Sequence, residues 1–159
     1  CAAPRVSAVH RVNAQEPWQL AYGRARPRPL FRSGAPKVLL AHLPRAPLVK
    51  IHVAHADEIA ASGMGQDWPG FRSTLTHIRK AGFYRSVGEL EAGVGAVAGP
   101  VFNPEGDCVA ALALVGSARR LRPVAGAGLL APLHDATTAI RRSLGALERQ
   151  RPAAQRATA

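Results

Sequence analysis

Two histidines, His52 and His55, stand three residues apart, with Asp57 and Glu58 just beyond them. On a helix that spacing lets two imidazoles approach one metal ion. A zinc site needs at least a third protein ligand, and no single helix face collects all four residues. His77 and His134 are isolated, and each reads as a surface or helix-face residue. Cys108 opens an apolar run with no histidine near it in sequence, which suits a small, inert, buried thiol better than a nucleophile. No GxSxG elbow and no phosphate loop ending in Lys-Ser or Lys-Thr occurs. Gly93-Val94-Gly95 and Gly126-Ala127-Gly128 are too bare for a dinucleotide fingerprint. These residues assemble no catalytic, metal or cofactor set, so the expectation is that the protein is not an enzyme. A hydrolase using His52 or Cys108 is the remaining enzymatic reading.

Binding chemistry is easier to find. Ser33-Gly34-Ala35-Pro36 precedes the apolar run Val38-Leu39-Leu40-Ala41, and a Ser cap with Pro in the first turn marks a helix start. The first backbone N–H groups of a helix lack partners and carry partial positive charge, so they can cradle a carboxylate. The same residues also fit an ordinary cap over a core helix. Further on, Val94 to Val101 and Cys108 to Val115 flank Asn103-Pro104-Glu105-Gly106, which predicts a β-hairpin. Strand alternation puts Ala96, Ala98 and Pro100 on one face of the first strand, and Ala111, Ala113 and Val115 on one face of the second. A face with so little bulk must be filled by a packed helix or by a small ligand.

The elements that position these groups mix strands and helices. Val6 to Val12 and Trp18 to Tyr22 read as strands joined through Ala14-Gln15-Glu16-Pro17, and residues 23–32 read as a loop. A short helix from Ser33 ends near Pro44. A second spans Pro47 to about Ala60, and residues 61–70 form a loop. A third runs from Phe71 to Ala81 and closes on Gly82. Tyr84 to Val87 is a strand, residues 117–128 are a flexible connection, and Leu129 to about Arg149 is a long amphipathic helix. Its stripe of Leu130, Leu133, Ala136, Thr137, Ile140, Leu144 and Leu147 is assigned to the core rather than to an interface. A hairpin without a crossover argues for α+β architecture, an antiparallel sheet with helices packed on it.

At 159 residues the chain fits one domain with a real core. No apolar run is long enough to span a membrane, and the expectation is that no secretory signal precedes the domain. Two cysteines make no disulfide framework, so a reducing cytoplasm is the default location. The net charge of +11 would suit an acidic ligand or partner, but the arginines are scattered and mark no nucleic-acid-reading helix or platform.

Several short matches, in order, resemble the C-terminal effector-binding domain of IclR-type bacterial transcriptional regulators. They are Pro29-Leu30, Lys37-Val38-Leu39-Leu40-Ala41, Ile78-Arg79, Gly82-Phe83, Gly88-Glu89-Leu90, Gly93-Val94, Ala98-Gly99-Pro100-Val101, Gly106, Val109-Ala110-Ala111-Leu112, Ala139-Ile140 and Leu144-Gly145. The resemblance covers roughly residues 5–147 and implies a GAF-like α+β fold. It implies an effector-binding domain over residues 1–150, a flexible tail over 151–159, and a helix-turn-helix DNA-binding domain that this chain does not contain.

Family resemblance further implies that Gly34 and Ala35 present amides to the effector's acid group, beside Ser33. It makes Ala96, Ala98, Ala113 and Val115 the pocket floor and sets Ser86 and Glu89 at its mouth. Phe31, read by itself, either walls the pocket by stacking or staples the helix to the sheet, the commoner role for such a residue. Because that floor is apolar here, the expected effector is a small organic acid, plausibly aromatic. Pro36 departs from the family's usual Gly before Lys37. Homodimers or tetramers are implied, with DNA reached only through the helix-turn-helix and no membrane partner. A stand-alone GAF-like binding module without a DNA role is the alternative.

Overall fold

The computed structural model describes residues 6–12, 27–122 and 127–150. β1 (Val6–Ser7) pairs antiparallel with β2 (Pro27–Arg28). Four helices follow: α1 (Gly34–His42), α2 (Arg45–Ala54), α3 (Ala56–Ala61) and α4 (Trp68–Ala81). Next come β3 (Tyr84–Val87), β4 (Val94–Phe102) and β5 (Cys108–Ser117), then α5 (Ala118–Leu121), a 3-10 turn (Ala127–Leu129) and α6 (Leu130–Gln150). β3, β4 and β5 form a three-stranded antiparallel sheet in that order, with helices packed on both faces. The fold is α+β, as the sequence pattern predicts.

The hairpin turn fixes the strand register. Asn103 Oδ1 accepts from the Asp107 amide at 2.7 Å, and the Gly106 amide donates to the Asn103 carbonyl at 3.1 Å. Gly106 has φ 97°, a value that side-chain-bearing residues rarely adopt. The resulting pairs are Ala96 with Val115, Ala98 with Ala113 and Pro100 with Ala111, so the small residues share one face.

That face is covered by α1, with α2, α3 and α4 behind it. The core there holds Phe31, Val38, Ile51, Ile59, Phe71 and Leu75, all buried. Burial of each such large side chain contributes roughly 1.5–3 kcal/mol. On the opposite face Val97 packs with Leu121 of α5 and Leu133 of α6.

Local chemistry explains where the elements depart from the sequence expectations. The long second helix is two helices, because the backbone turns at His55 (φ −137°, ψ 30°) and its Nδ1 bonds Glu58 Oε1 at 2.8 Å. It also begins earlier, at Arg45, since Pro47 is tolerated in a first turn. α4 starts at Trp68 rather than Phe71: Asp67 Oδ1 accepts from the Gly70 amide at 2.8 Å, and Pro69 occupies the first turn. Gly82 closes it in the left-handed conformation, as expected.

At the chain's start, the strand stops at Ser7, with Val9 and Val12 exposed. Residues 23–32 are not wholly loop, because Pro27–Arg28 pairs with β1. The expected strand at Trp18 to Tyr22, its connection at 14–17 and the tail 151–159 lie outside the described residues. α5 replaces part of the connection expected at 117–128. The α6 stripe is core only in part, with Leu144 half-buried beside the buried Gly145. Leu133 is buried, whereas Ile140 and Leu147 are exposed.

Candidate ligand-binding site

The start of α1 is pressed onto the sheet. A β-carbon at position 34 would lie 3.1 Å from Ala98 Cβ and 3.4 Å from the Tyr84 carbonyl oxygen. Gly34 and Ala98 are therefore a matched pair of small residues that lets the helix approach. Ser33 precedes the helix at φ 120° and ψ 162°, a conformation that is essentially glycine's, and its side chain makes no capping bond.

One turn into α1, in an otherwise apolar run, Lys37 is 2% exposed. A buried ammonium needs a charged partner, and Glu89 provides it from the segment between β3 and β4. Lys37 Nζ donates to Glu89 Oε2 at 2.7 Å and to the Tyr84 hydroxyl at 3.0 Å. The Tyr84 hydroxyl donates to Glu89 Oε1 at 2.8 Å, and the Ser33 amide donates to Oε2 at 3.4 Å. The ammonium also lies 4.7 Å from the centre of the Tyr84 ring, within cation–π range. Burial, with the Glu89 hydrogen bond and the Glu89 charge added, pushes the Tyr84 phenol far above its ordinary value. Tyr84 is thus a fixed donor at neutral pH, not an acid–base group.

The carboxylate of Glu89 receives an ammonium, a phenol and a backbone amide at the amino end of a helix. Those are the donors that would receive the acid group of a small molecule. Glu89 keeps 26% of its side chain exposed, so the cluster opens to solvent on its side. Gly88 and Gly93, at φ 71° and 81°, bracket the segment that carries it.

The ten residues expected at a site fall into two sets. Ser33, Gly34, Ala35 and Glu89 lie at the amino end of α1, and Phe31 just ahead of it is buried in the core below. Ser86, Ala96 and Ala98 are buried, with Gly34 against Ala98, so at Ala98 the filler of the small-residue face is the helix itself. Ala113 is half-buried, and Val115 is 41% exposed on the same face. Lys37 and Tyr84 were missed. The visible sign was a single charge within Ala35 to Ala41; its partner is distant in sequence.

The other chemical candidates have different surroundings. His52 packs edge-on to Trp68 at 5.5 Å and against Phe71 at 5.7 Å, while His55 pairs with Glu58. Among the described residues, no three His, Cys, Asp or Glu side chains converge as a metal ion would require. Cys108 is half-buried rather than buried. Its thiol donates to the Ala110 carbonyl at 3.4 Å, and burial pushes its pKa up. No described helix is long and apolar enough to cross a membrane.

The chain matches the family model for the bacterial transcriptional regulator IclR C-terminal domain over residues 5–142. No protein of curated function matches the sequence. Among solved structures it is similar to transcriptional regulator YaiJ, at 26% identity and TM-score 0.66, covering 82% of this chain and 74% of that one. It is similar to the inducer-binding domain of a PobR double mutant from Acinetobacter in complex with 3-hydroxybenzoic acid, at 25% identity and TM-score 0.62, covering 82% and 74%. An IclR-family regulator from Rhodococcus shares the fold at 23% identity and TM-score 0.69, covering 86% of this chain and 51% of that one. The chain thus spans about half of that regulator's length. The family is one of transcriptional regulators, not of enzymes. With its α+β fold and a match over residues 5–142, the chain belongs to the IclR family of bacterial transcriptional regulators, as a C-terminal regulatory domain.

Proposed function

We propose that this domain senses a small organic acid at the amino end of α1 and passes its state to a DNA-binding domain in the cytoplasm. The acid head competes with Glu89 for Lys37 and the Ser33 amide and takes up the amides of Gly34 and Ala35 beside them. The apolar body lies over β5 at Ala113 and Val115, while Ser86, Ala96, Ala98 and Phe31, all buried, form the packed layer that supports the site. The observation that carries this reading is the buried ammonium of Lys37 at a helix start, answered by one partly exposed carboxylate. The aromatic acid bound by the PobR inducer-binding domain supports the ligand class. Release of Glu89 would move the segment between Gly88 and Gly93, which gives two arrangements that an acid binds unequally. The exposed Ile140 and Leu147 on α6 fit contact with a second copy in a homodimer or tetramer.

A thermal-shift screen of hydroxybenzoates and short aliphatic acids tests the site. An acid that binds the folded state raises the melting temperature, and the rise grows with the logarithm of its concentration once that exceeds Kd. The rise should vanish in Ala113→Trp, which puts an indole on the half-buried face of β5 where the acid's body is proposed to lie, while circular dichroism stays unchanged. An acid that stabilises Ala113→Trp as well as the parent would refute the placement.

A further inference from the structure

A concavity lies at the other end of α1, with a volume of about 460 Å³ that is ample for a small organic molecule. Leu43, Pro44, Leu48 and Leu75 give it apolar lining, and Trp68 and Phe102 give it aromatic lining. Three guanidinium groups border it. Arg45 opens α2, and Arg72 and Arg79 lie about two turns apart on α4.

These cations are positioned but not neutralised. Arg79 Nε donates to the Ala41 carbonyl at 2.6 Å, and the Arg72 guanidinium sits 5.9 Å from the Trp68 ring centre. Among the described residues none of the three forms an ion pair. α4 carries no Asp or Glu. α2 has no side-chain cap and no acidic residue in its first turn, so its leading amides add to the positive field. An adjoining groove of about 510 Å³ shares Trp68 and Arg72 and adds Lys80. The opposing carboxylate in the cleft is Asp107, which is held by Asn103.

A phosphodiester backbone is recognised mainly by its charge and gains little from an apolar floor. A flat apolar body with acidic groups matches both features, and cations from two helices suit two such groups. We propose that this cleft binds a small aromatic dianion, independently of the site at the start of α1.

Isothermal titration with terephthalate, benzoate and succinate tests this on the parent chain, Arg45→Gln, Arg72→Gln and Ala113→Trp. Both arginines are exposed, so neither glutamine variant removes a core contact. Terephthalate should bind the parent and Ala113→Trp equally. Each arginine variant should weaken it about tenfold, the size expected for one charge-assisted hydrogen bond. Benzoate and succinate should bind more weakly, and added salt should weaken all three. No heat from millimolar terephthalate would overturn the proposal. So would affinity unchanged in both arginine variants, affinity lost in Ala113→Trp, or benzoate binding Ala113→Trp as tightly as terephthalate does.

Discussion

Replacing Glu89 by glutamine would strip the buried Lys37 ammonium of its counter-charge while leaving its shape and the Tyr84 hydroxyl in place. At 2.7 Å the pair attracts by about 6 kcal/mol with an effective dielectric constant of about 20. Desolvation of the two ions costs several kcal/mol each, so the intact pair contributes little net stability. Removing one partner is different, because the other ion is left uncompensated, at about 3–5 kcal/mol for a fully buried pair. Lys37 is almost fully buried and Glu89 is a quarter exposed, so the two losses should be unequal. Glu89→Gln should cost about 3 kcal/mol, and Lys37→Met about 2 kcal/mol because water can reach the freed carboxylate. The double variant should cost about 2 kcal/mol, giving a coupling energy of about 3 kcal/mol. Urea unfolding of the four proteins measures all the terms. If the two single losses add to the double loss within about 0.5 kcal/mol, the groups do not interact and the reasoning fails.

Gly34→Ala should destabilise by about 1–3 kcal/mol, despite alanine's better helix propensity, because its β-carbon meets Ala98 and the Tyr84 carbonyl; chemical denaturation measures it. Tyr84 should give a pH signature. Folded Tyr84 holds its proton more tightly than an unfolded tyrosine, which titrates near 10.0. The native state therefore binds more protons above that pH, so this contribution is complete below pH 10 and is lost as pH rises further. Tyr84→Phe should flatten that alkaline fall in a series of urea melts. Asp67→Ala should cost about 1 kcal/mol by loss of the Gly70 bond at the start of α4, measured the same way.

Much of the fold was legible because local chemistry decides it. Ser33 and Pro36 mark α1, Gly82 ends α4, and the Asn103 to Gly106 turn sets the hairpin, after which alternation alone sorts the alanines onto one face. The break at His55 was hidden, because periodicity continues across it and a side-chain bond to Glu58 makes the difference. The α4 start was readable in Asp67 and Pro69 but lay in a stretch rich in glycine. At the site, the helix start and Glu89 could be named from sequence. Lys37 and Tyr84 could not, because Lys37 meets Tyr84 and Glu89 across 47 and 52 residues. Only the docking of α1 on the sheet brings them together.

Ser33 has one more effect. A residue bearing a side chain at φ 120° is held roughly 1–3 kcal/mol uphill of relaxed backbone, and the rest of the domain keeps it there. Any rearrangement that lets Ser33 unwind recovers that energy and swings its amide off Glu89. On the proposed reading, the Ser33–Glu89 contact is a latch under tension before any guest arrives, so a molecule too small to make many contacts would suffice to spring it.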